Sequence, residues 1–496
     1  MKKFSTIIAI ATAACLILTM PVVAQERRGS APKLDGPQSV GTELINKFEY
    51  ASISWDVPQV GRDVERYVTK NGMIVYLKED HTLPEFRIRA LIRCGDVYDD
   101  ADQQGISGLV GTVMRSGGTT NLTSDSLNSL LEYIAASVET GIGDESGRAS
   151  LYCLAKDIEL GVKMYADVIR NPAFAEDKLD LAKAQIRKSI KSRNDNPGSI
   201  VSREFSHTIY GDHPFGRVLE WATVKPIGKA DLQAYHQKYF APNNMMLGIT
   251  GDFSSKKIKK LLDKYFGDWD QQPVDLPARP QVGSAFRPGV FHVEKDVNQS
   301  SIRLGHLGID HNNPDRYAIS VMNFILGGGS FNSRMTSKVR SDEGLAYSVG
   351  SRYGAGGVDP GTFFAYCQTK SSTTLKAIGL MTAEIERIRD AEVSDAELEL
   401  AKDSYVNRYV FQFTSASQVV GRLMQLEYDD RPRDLLQDYI ANVQKVTKSD
   451  VWRVAQEYLH PDKISYVVVG KRAELDGDLA DLGTVTEIPL EEPVVD

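Results

Sequence analysis

Hydrophobic and polar positions follow two different periods along this chain. Phe86, Ile88, Ala90 and Ile92 alternate with Arg87, Arg89 and Arg93, the two-residue period of a half-buried strand. Ala318, Val321, Met322 and Ile325 recur at the spacing of one helix face. Lys229 to Tyr239 and Lys448 to Tyr458 predict helices, each followed by a proline turn and an apolar strand, Met245 to Thr250 and Ile464 to Val469. Helices and strands together predict an α+β fold with helices packed on one face of an antiparallel sheet.

The two halves of the pattern repeat one another. Lys229-Ala230-Asp231 matches Lys448-Ser449-Asp450, Tyr239 matches Tyr458, Pro242 matches Pro461 and Gly251 matches Gly470, every pair 219 positions apart. The same offset carries Leu179-Asp180-Leu181-Ala182-Lys183 onto Leu398-Glu399-Leu400-Ala401-Lys402. Two copies of one unit of roughly 200 residues follow, a duplicated domain and not a solenoid. The expected organisation is a first copy over 64–270, a Pro-rich linker over 271–288, a second copy over 289–475 and an acidic tail over 476–496.

Ahead of the first copy, Lys2-Lys3, the apolar run Ile7 to Met20 and Val22-Val23-Ala24 make a signal peptide over 1–24, cleaved after Ala24. Cys15 as a lipidation site is the rival reading, but Thr12-Ala13-Ala14 matches that motif poorly. The expectation is export across the inner membrane to the periplasm, no membrane insertion after cleavage, and a flexible arm over 25–63. The formal charge of −8 becomes −10 without Lys2 and Lys3, which argues against a nucleic-acid partner. Eight acids and no base between Glu474 and Asp496 predict a solvated tail. Cys94, Cys153 and Cys367 sit in apolar strand-like runs and read as small buried hydrophobes, not as disulfide partners.

The second copy carries Leu326-Gly327-Gly328-Gly329-Ser330-Phe331-Asn332-Ser333-Arg334-Met335 and then Val339-Arg340-Ser341-Asp342-Glu343-Gly344-Leu345-Ala346-Tyr347-Ser348-Val349. With Tyr210-Gly211-Asp212-His213-Pro214-Phe215-Gly216 in the first copy, this resembles the insulinase and mitochondrial-processing-peptidase family of zinc metallopeptidases, from about Val64 to Arg472. The resemblance implies two duplicated domains forming half of a clam-like dimer. Active members hold zinc with H-x-x-E-H on a helix of the first copy, where two imidazoles and a carboxylate bind metal and the intervening Glu is the base.

The matching helix here is Gly105-Ile106-Ser107-Gly108-Leu109-Val110-Gly111-Thr112-Val113-Met114. The two His positions fall on Gly108 and Thr112, the Glu position on Gly111, and the further Glu ligand near Ala182 or Lys183. None of these side chains binds zinc or moves a proton. None of the eight histidines outside this helix has a second at four-residue spacing with a Glu between; His306 and His311 come closest, at a strand end.

Arg340 and Tyr347 match the pair that family members use to bind substrate backbone, the guanidinium as a fixed fork of donors and the phenol as an oxyanion donor. Gly327-Gly328-Gly329 reads equally as a loop passing a substrate chain closely and as a helix stop. Glu343 stands where family members usually carry Arg, which either weakens binding of acidic peptide groups or is a surface exchange. The resemblance thus implies a non-catalytic, substrate-binding subunit, with no cofactor of its own, whose partner chain of the same family supplies zinc and base. The alternative is a scaffolding or peptide-binding protein of the same fold without proteolysis.

Overall fold

The computed structural model describes residue 41, residues 56–283 and residues 286–496; the expected signal peptide and nearly all of the arm up to residue 55 lie outside the described residues. The alternation that begins at Phe86 does form a strand, and it is central to a six-stranded sheet. The first half contains β1 (Glu65–Val68), β2 (Ile74–Glu79), β3 (Glu85–Ile92), β4 (Ser137–Ile142), β5 (Gly147–Leu154) and β6 (Met245–Gly251). Its helices are α1 (Ile106–Ser116), α2 (Ser124–Tyr133), α3 (Ile158–Arg170), α4 (Glu176–Lys191), α5 (Pro197–Tyr210), the single turn α6 (Trp221–Val224), α7 (Lys229–Tyr239) and α8 (Ser255–Phe266).

The second half repeats the plan with β7 (Gly289–Glu294), β8 (Gln299–Leu307), β9 (Ala346–Tyr353), β10 (Thr362–Lys370), β11 (Ser465–Gly470) and β12 (Val485–Glu487). Its helices are α9 (Arg316–Asn323), α10 (Thr374–Asp390), α11 (Asp395–Tyr409), α12 (Ala416–Tyr428), α13 (Leu435–Lys445) and α14 (Lys448–Tyr458). The sheet orders are β1-β2-β6-β3-β5-β4 and β12-β7-β11-β8-β10-β9. Both sheets are mixed: β6 runs parallel to β2, and β11 and β12 run parallel to β7, while the other pairs are antiparallel. Side-chain alternation is the same in either direction, so the periodicity could not show this. The long stretch between β2 and β6, which carries β3 to β5 and the helices α1 to α7, supplies the connection that a parallel pair needs.

One face of each sheet is a packed core under helices. Val75, Leu77, Phe86, Ile88, Leu151 and Ile249 meet Leu109, Val113, Tyr165 and Leu262 in the first. Ile302, Leu304, Phe363 and Val468 meet Val321, Ile378, Ile385 and Val454 in the second. Cys94 and Cys153 belong to the first core and Cys367 to the second, all three buried and unpaired, as small hydrophobes should be.

The opposite faces are covered by exchange. Helix α5, from the first half, lies on β8 and β11 of the second sheet, where Ile200, Val201, Phe205 and Ile209 pack with Val293, Val467 and Val469. Helix α12, from the second half, lies on β6 and β2 of the first sheet. The two helices start at Pro197 and Ala416, the same 219 positions apart as the repeated motifs. Gly248 makes room for α12: a Cβ there would stand 2.6 Å from Val420 Cγ1 and would overlap Met424 Sδ. At the end of α12, Glu427 accepts from Arg66 Nε at 2.7 Å and from the Tyr76 hydroxyl. Burial acts to raise the Glu427 pKa, but these hydrogen bonds outweigh it and hold the group below the usual carboxylate range.

Two expectations change here. The stretch over 271–288 has no helix or strand among its described residues, yet Arg279 within it is an anchor, bound to Glu145 at 2.6 Å and Asp359 at 2.7 Å. The acidic run after Glu474 is not a solvated tail. Leu479 is buried in the second core, Asp476 accepts from the first amides of α10 at 2.8 and 3.0 Å, and Val485–Glu487 adds the strand β12. The chain then crosses to the first half, where Asn194 donates to Glu491 O at 2.8 Å and Arg187 to Val495 O at 2.6 Å. Apolar residues spaced among the acids give the segment something to bury, which charge counting overlooks.

Because each sheet is capped by a helix of the other half, the chain is expected to unfold in one denaturant transition, not two. Phe205→Ala should lower its stability by about 3–5 kcal/mol. Two resolved transitions, with only one moved by the substitution, would contradict the exchange.

Candidate functional site

Helix α1 begins at Gly105, whose φ of 98° is a left-handed conformation suited to glycine. Asp99 caps it, accepting from Ser107 Oγ at 2.8 Å and from the amides of Gly105 and Ser107 at 3.3 Å. Burial raises the Asp99 carboxyl to about 7 against the lowering effect of those bonds.

Along α1 the three positions aligned with the family's zinc motif differ in their surroundings. Gly108 faces open space and Thr112 is exposed. Gly111 is buried against β4: a Cβ would stand 2.9 Å from both Gly141 Cα and C and would overlap the Ile142 amide. Thr140 Oγ1 donates to Gly111 O at 2.6 Å and holds the strand there. Ala182 is part of the core, and Lys183 Nζ donates to Lys225 O at 2.8 Å. Among the described residues no three His, Cys, Asp or Glu side chains gather as a metal site. The face does not fit zinc: Gly108 has no donor, Thr112 offers only a hydroxyl, and the Gly111 position has no room for a carboxylate side chain.

In the second half α9 runs on into a π-helical segment, Phe324–Gly328, and a second π-helical segment spans Thr336–Asp342. Such segments re-aim side chains and are common at functional sites. At the end of the first segment the three glycines pack on their own chain. A Cβ on Gly327 would stand 2.5 Å from Ser351 Oγ, one on Gly328 2.6 Å from Asn323 Nδ2, and one on Gly329 2.7 Å from Phe324 O. Gly327 and Gly329 are buried and Gly328 is exposed, so close backbone approach is a requirement of packing on β9.

This packing presents Arg340 between two rings. Its guanidinium carbon lies 4.5 Å from the Phe331 centroid and 4.6 Å from that of Tyr347, a cation held between aromatic faces. Phe331 is 63% and Tyr347 84% exposed, unusual for large side chains without a partner surface. The motif spacing pointed to Arg340 and Tyr347 but passed over Phe331, whose signal was an aromatic two residues after a glycine run. Arg334 fixes the segment from behind by a two-point ion pair with Glu397 at 2.6 and 3.0 Å. Burial acts to raise the Glu397 pKa; Arg334 and Ser394 outweigh it and hold the carboxyl at about 2. Glu343 is bound by Lys376 at 2.8 Å and approached by Lys338 at 3.7 Å, so neighbouring charges answer the negative charge it introduces.

The Tyr210 to Gly216 motif serves the junction of the halves. Tyr210 donates to Pro360 O at 3.0 Å, and His213 Nε2 is buried 3.9 Å from Asp359 Oδ1. Burial keeps His213 below its usual pKa despite that carboxylate. Beside the junction opens a cleft of about 580 Å³ lined by Arg93, Tyr98, Arg148, Arg279 and Tyr428, among others.

Three substitutions probe these contacts. Gly111→Ala is expected to cost about 1–3 kcal/mol by forcing α1 from β4, whereas Gly108→Ala should stabilise by about 0.5–1 kcal/mol because its Cβ meets nothing in a helix interior; thermal melts of both give the comparison. The Glu397 pKa is lowered by folding, so its contribution is complete above its ordinary range near 4.5 and is lost as pH falls towards about 2. Glu397→Gln should therefore flatten the acid limb of the stability–pH curve over that window.

Comparison with known proteins agrees with this architecture. Residues 74–222 match the sequence model described as insulinase, peptidase family M16, and residues 226–405 match the one described as the peptidase M16 inactive domain. An uncharacterized zinc protease of Rickettsia felis is 25% identical over 337 residues, 67% of this chain and 80% of its own length. A crystal structure of a peptidase M16 inactive domain from Pseudomonas fluorescens has a TM-score of 0.74 at 26% identity, covering 82% of this chain and 98% of that one. The periplasmic protease PqqL from Escherichia coli shares the fold with a TM-score of 0.70 at 17% identity, over 86% of this chain and 50% of its own. With one sequence model on each half and the same two-sheet fold in solved relatives, the chain belongs to the insulinase family of peptidases, M16.

Proposed function

We propose that this chain is the non-catalytic, substrate-binding subunit of a heteromeric zinc peptidase, working beside an active subunit of its own family. The observation that carries the reading is the contrast between its two halves. The first half has a helix where zinc would be held, but β4 has closed on the base position and no ligand remains. The second half keeps Arg340 half-buried between the exposed rings of Phe331 and Tyr347, braced by Arg334 and Glu397. A guanidinium so held makes directed hydrogen bonds to a peptide carbonyl at small entropic cost. Zinc, general base and bond cleavage belong to the partner in this reading; peptide capture and closure belong to this chain.

Lys2-Lys3 and the apolar run to Ala24 support export to the periplasm, where the fold relative PqqL is described as a protease. No helix among the described residues is long and apolar enough to cross a membrane.

Native purification tests the assignment. A relative carrying H-x-x-E-H should co-purify, the complex should cleave peptides in a chelator-sensitive way, and the chain alone should be inactive. Arg340→Ala should raise KM of the complex by about tenfold with a smaller change in kcat, as loss of uniform binding does. A bare homodimer that binds peptides would favour the scaffolding alternative, and chelator-sensitive cleavage by the chain alone would refute both.

A further inference from the structure

The exchanged helices leave part of each sheet face uncovered, and arginines stand there, with Arg303 half-buried at the margin of α5. On the first sheet Phe86, Ile88, Ala90 and Ile92 enter the core, so Arg87 and Arg89 point the other way. On β5, Ala149, Leu151 and Cys153 enter the core, and Arg148, Ser150 and Tyr152 share the face with those arginines. Arg87, Arg89 and Arg148 are exposed, and the Arg87 guanidinium stacks 4.6 Å from the Tyr152 centroid.

The second sheet repeats this at equivalent places. Arg89 stands opposite Gly248 on β6 and Arg303 opposite Val467 on β11; Gly248 and Val467 are 219 positions apart, so the two arginines face equivalent places although they themselves are 214 apart. Arg303 lies 4.3 Å from the Phe364 centroid and 5.7 Å from that of Phe205, and its buried Nε has no hydrogen-bond partner among the described residues. Exposed Arg352 on β9 pairs in register with Phe364 on the same face. The two strips approach where the β4–β5 hairpin touches the β9–β10 hairpin, Glu145 against Gly357, beside the cleft that Arg93 and Arg148 line.

Local carboxylates answer only part of this charge, although Asp144, Glu145, Asp429 and Asp430 line the adjoining cleft. Glu85 is bound to Arg87, Asp430 lies 3.5 Å from Arg93, and Glu139 sits on the edge strand near Arg115. Glu145 and Asp359 are taken by Arg279, and Asp429 by Gln425. Arg89, Arg148, Arg303 and Arg352 make no ion pair among the described residues, and Arg148 and Arg352 press as like charges on Arg89 and Arg303. In a chain of net charge −8, four such guanidinium groups on two equivalent sheet faces form a local field of opposite sign to the whole.

We infer that these paired arginine strips are a binding wall for acidic peptides, extended chains rich in Asp and Glu whose carboxylates meet Arg89, Arg148, Arg303 and Arg352. The inference rests on the peptide-binding part of the function proposed above and adds its substrate class. Guanidinium forks suit carboxylates, and Tyr152, Tyr366 and Gln368 on the same faces offer further polar contact to an extended backbone.

The test uses the full chain and two labelled peptides of about ten residues, one alternating Glu with Gly and one alternating Lys with Gly, followed by fluorescence anisotropy. The acidic peptide is expected to bind, more weakly as salt is raised past about 0.15 M. Arg89→Gln with Arg148→Gln should weaken it about tenfold, and Arg352→Gln should weaken it further. Circular dichroism of the variants should match that of the parent, because these side chains lie outside both cores. Binding of the lysine peptide as tightly, binding of neither peptide, or unchanged affinity in the variants would overturn the inference. So would loss of a co-purifying subunit from the variants with acidic-peptide binding intact, which would make the wall a subunit interface. Acidic-peptide binding by a chain that captures no zinc peptidase would sink the subunit role and leave the wall standing.

Discussion

The structure depends on a mutual obligation between its halves: each sheet buries one face under its own helices and the other under a helix supplied by its twin. A mostly apolar second face cannot be left to water, and neither half contains the helix that covers its own. Phe205 and Ile209 seal the second sheet, Val420 and Met424 the first, and Gly248 is small so that the second contact can close. The residues from Pro58 to Asp496 accordingly form one contact unit, although the sequence repeats. This coupling also sets how the candidate site is presented. The uncovered parts of the two sheets, the Arg279 junction and the exposed Arg340 segment are held in one frame because the halves cannot separate without unfolding.

Much of this was legible in the residues. The duplication, the α+β class, the buried cysteines and the family followed from periodicity, from pairs 219 apart and from motifs whose glycines and charges stand at fixed spacing. The exchange of α5 and α12 was not, because an amphipathic helix shows that it has an apolar face and not which sheet receives it. Strand direction was hidden for the same kind of reason, since alternation is blind to it. Arg279 was lost in a proline-rich stretch, and the docked tail behind its own acids. Each was read from average composition, whereas one buried arginine or one leucine such as Leu479 decided the outcome.

At the candidate site the sequence supplied identities and the fold supplied their meaning. That Gly108, Gly111 and Thr112 lack ligands is plain from their side chains. That the three glycines after Leu326 answer to β9 and Phe324, and that Phe331 completes a stack on Arg340, needed the packing. The arginines of β3 were visible as the polar half of an alternation, which ordinarily marks a solvated face. Their unusual quality lies in what surrounds them: Arg89 and Arg148 make no ion pair among the described residues, and Arg303 and Arg352 stand likewise on the twin sheet.

The contact between Gly111 and β4 bears on the history of the fold. A metal site disabled by substitution alone stays recoverable, since the reverse change restores it while the space stands open. Here a strand lies against position 111 and is pinned by Thr140, so a larger side chain at that position would require backbone movement as well as substitution. Variation along this helix is therefore channelled: positions 108 and 112 have room for other side chains, whereas position 111 holds glycine for as long as Thr140 keeps the strand in place.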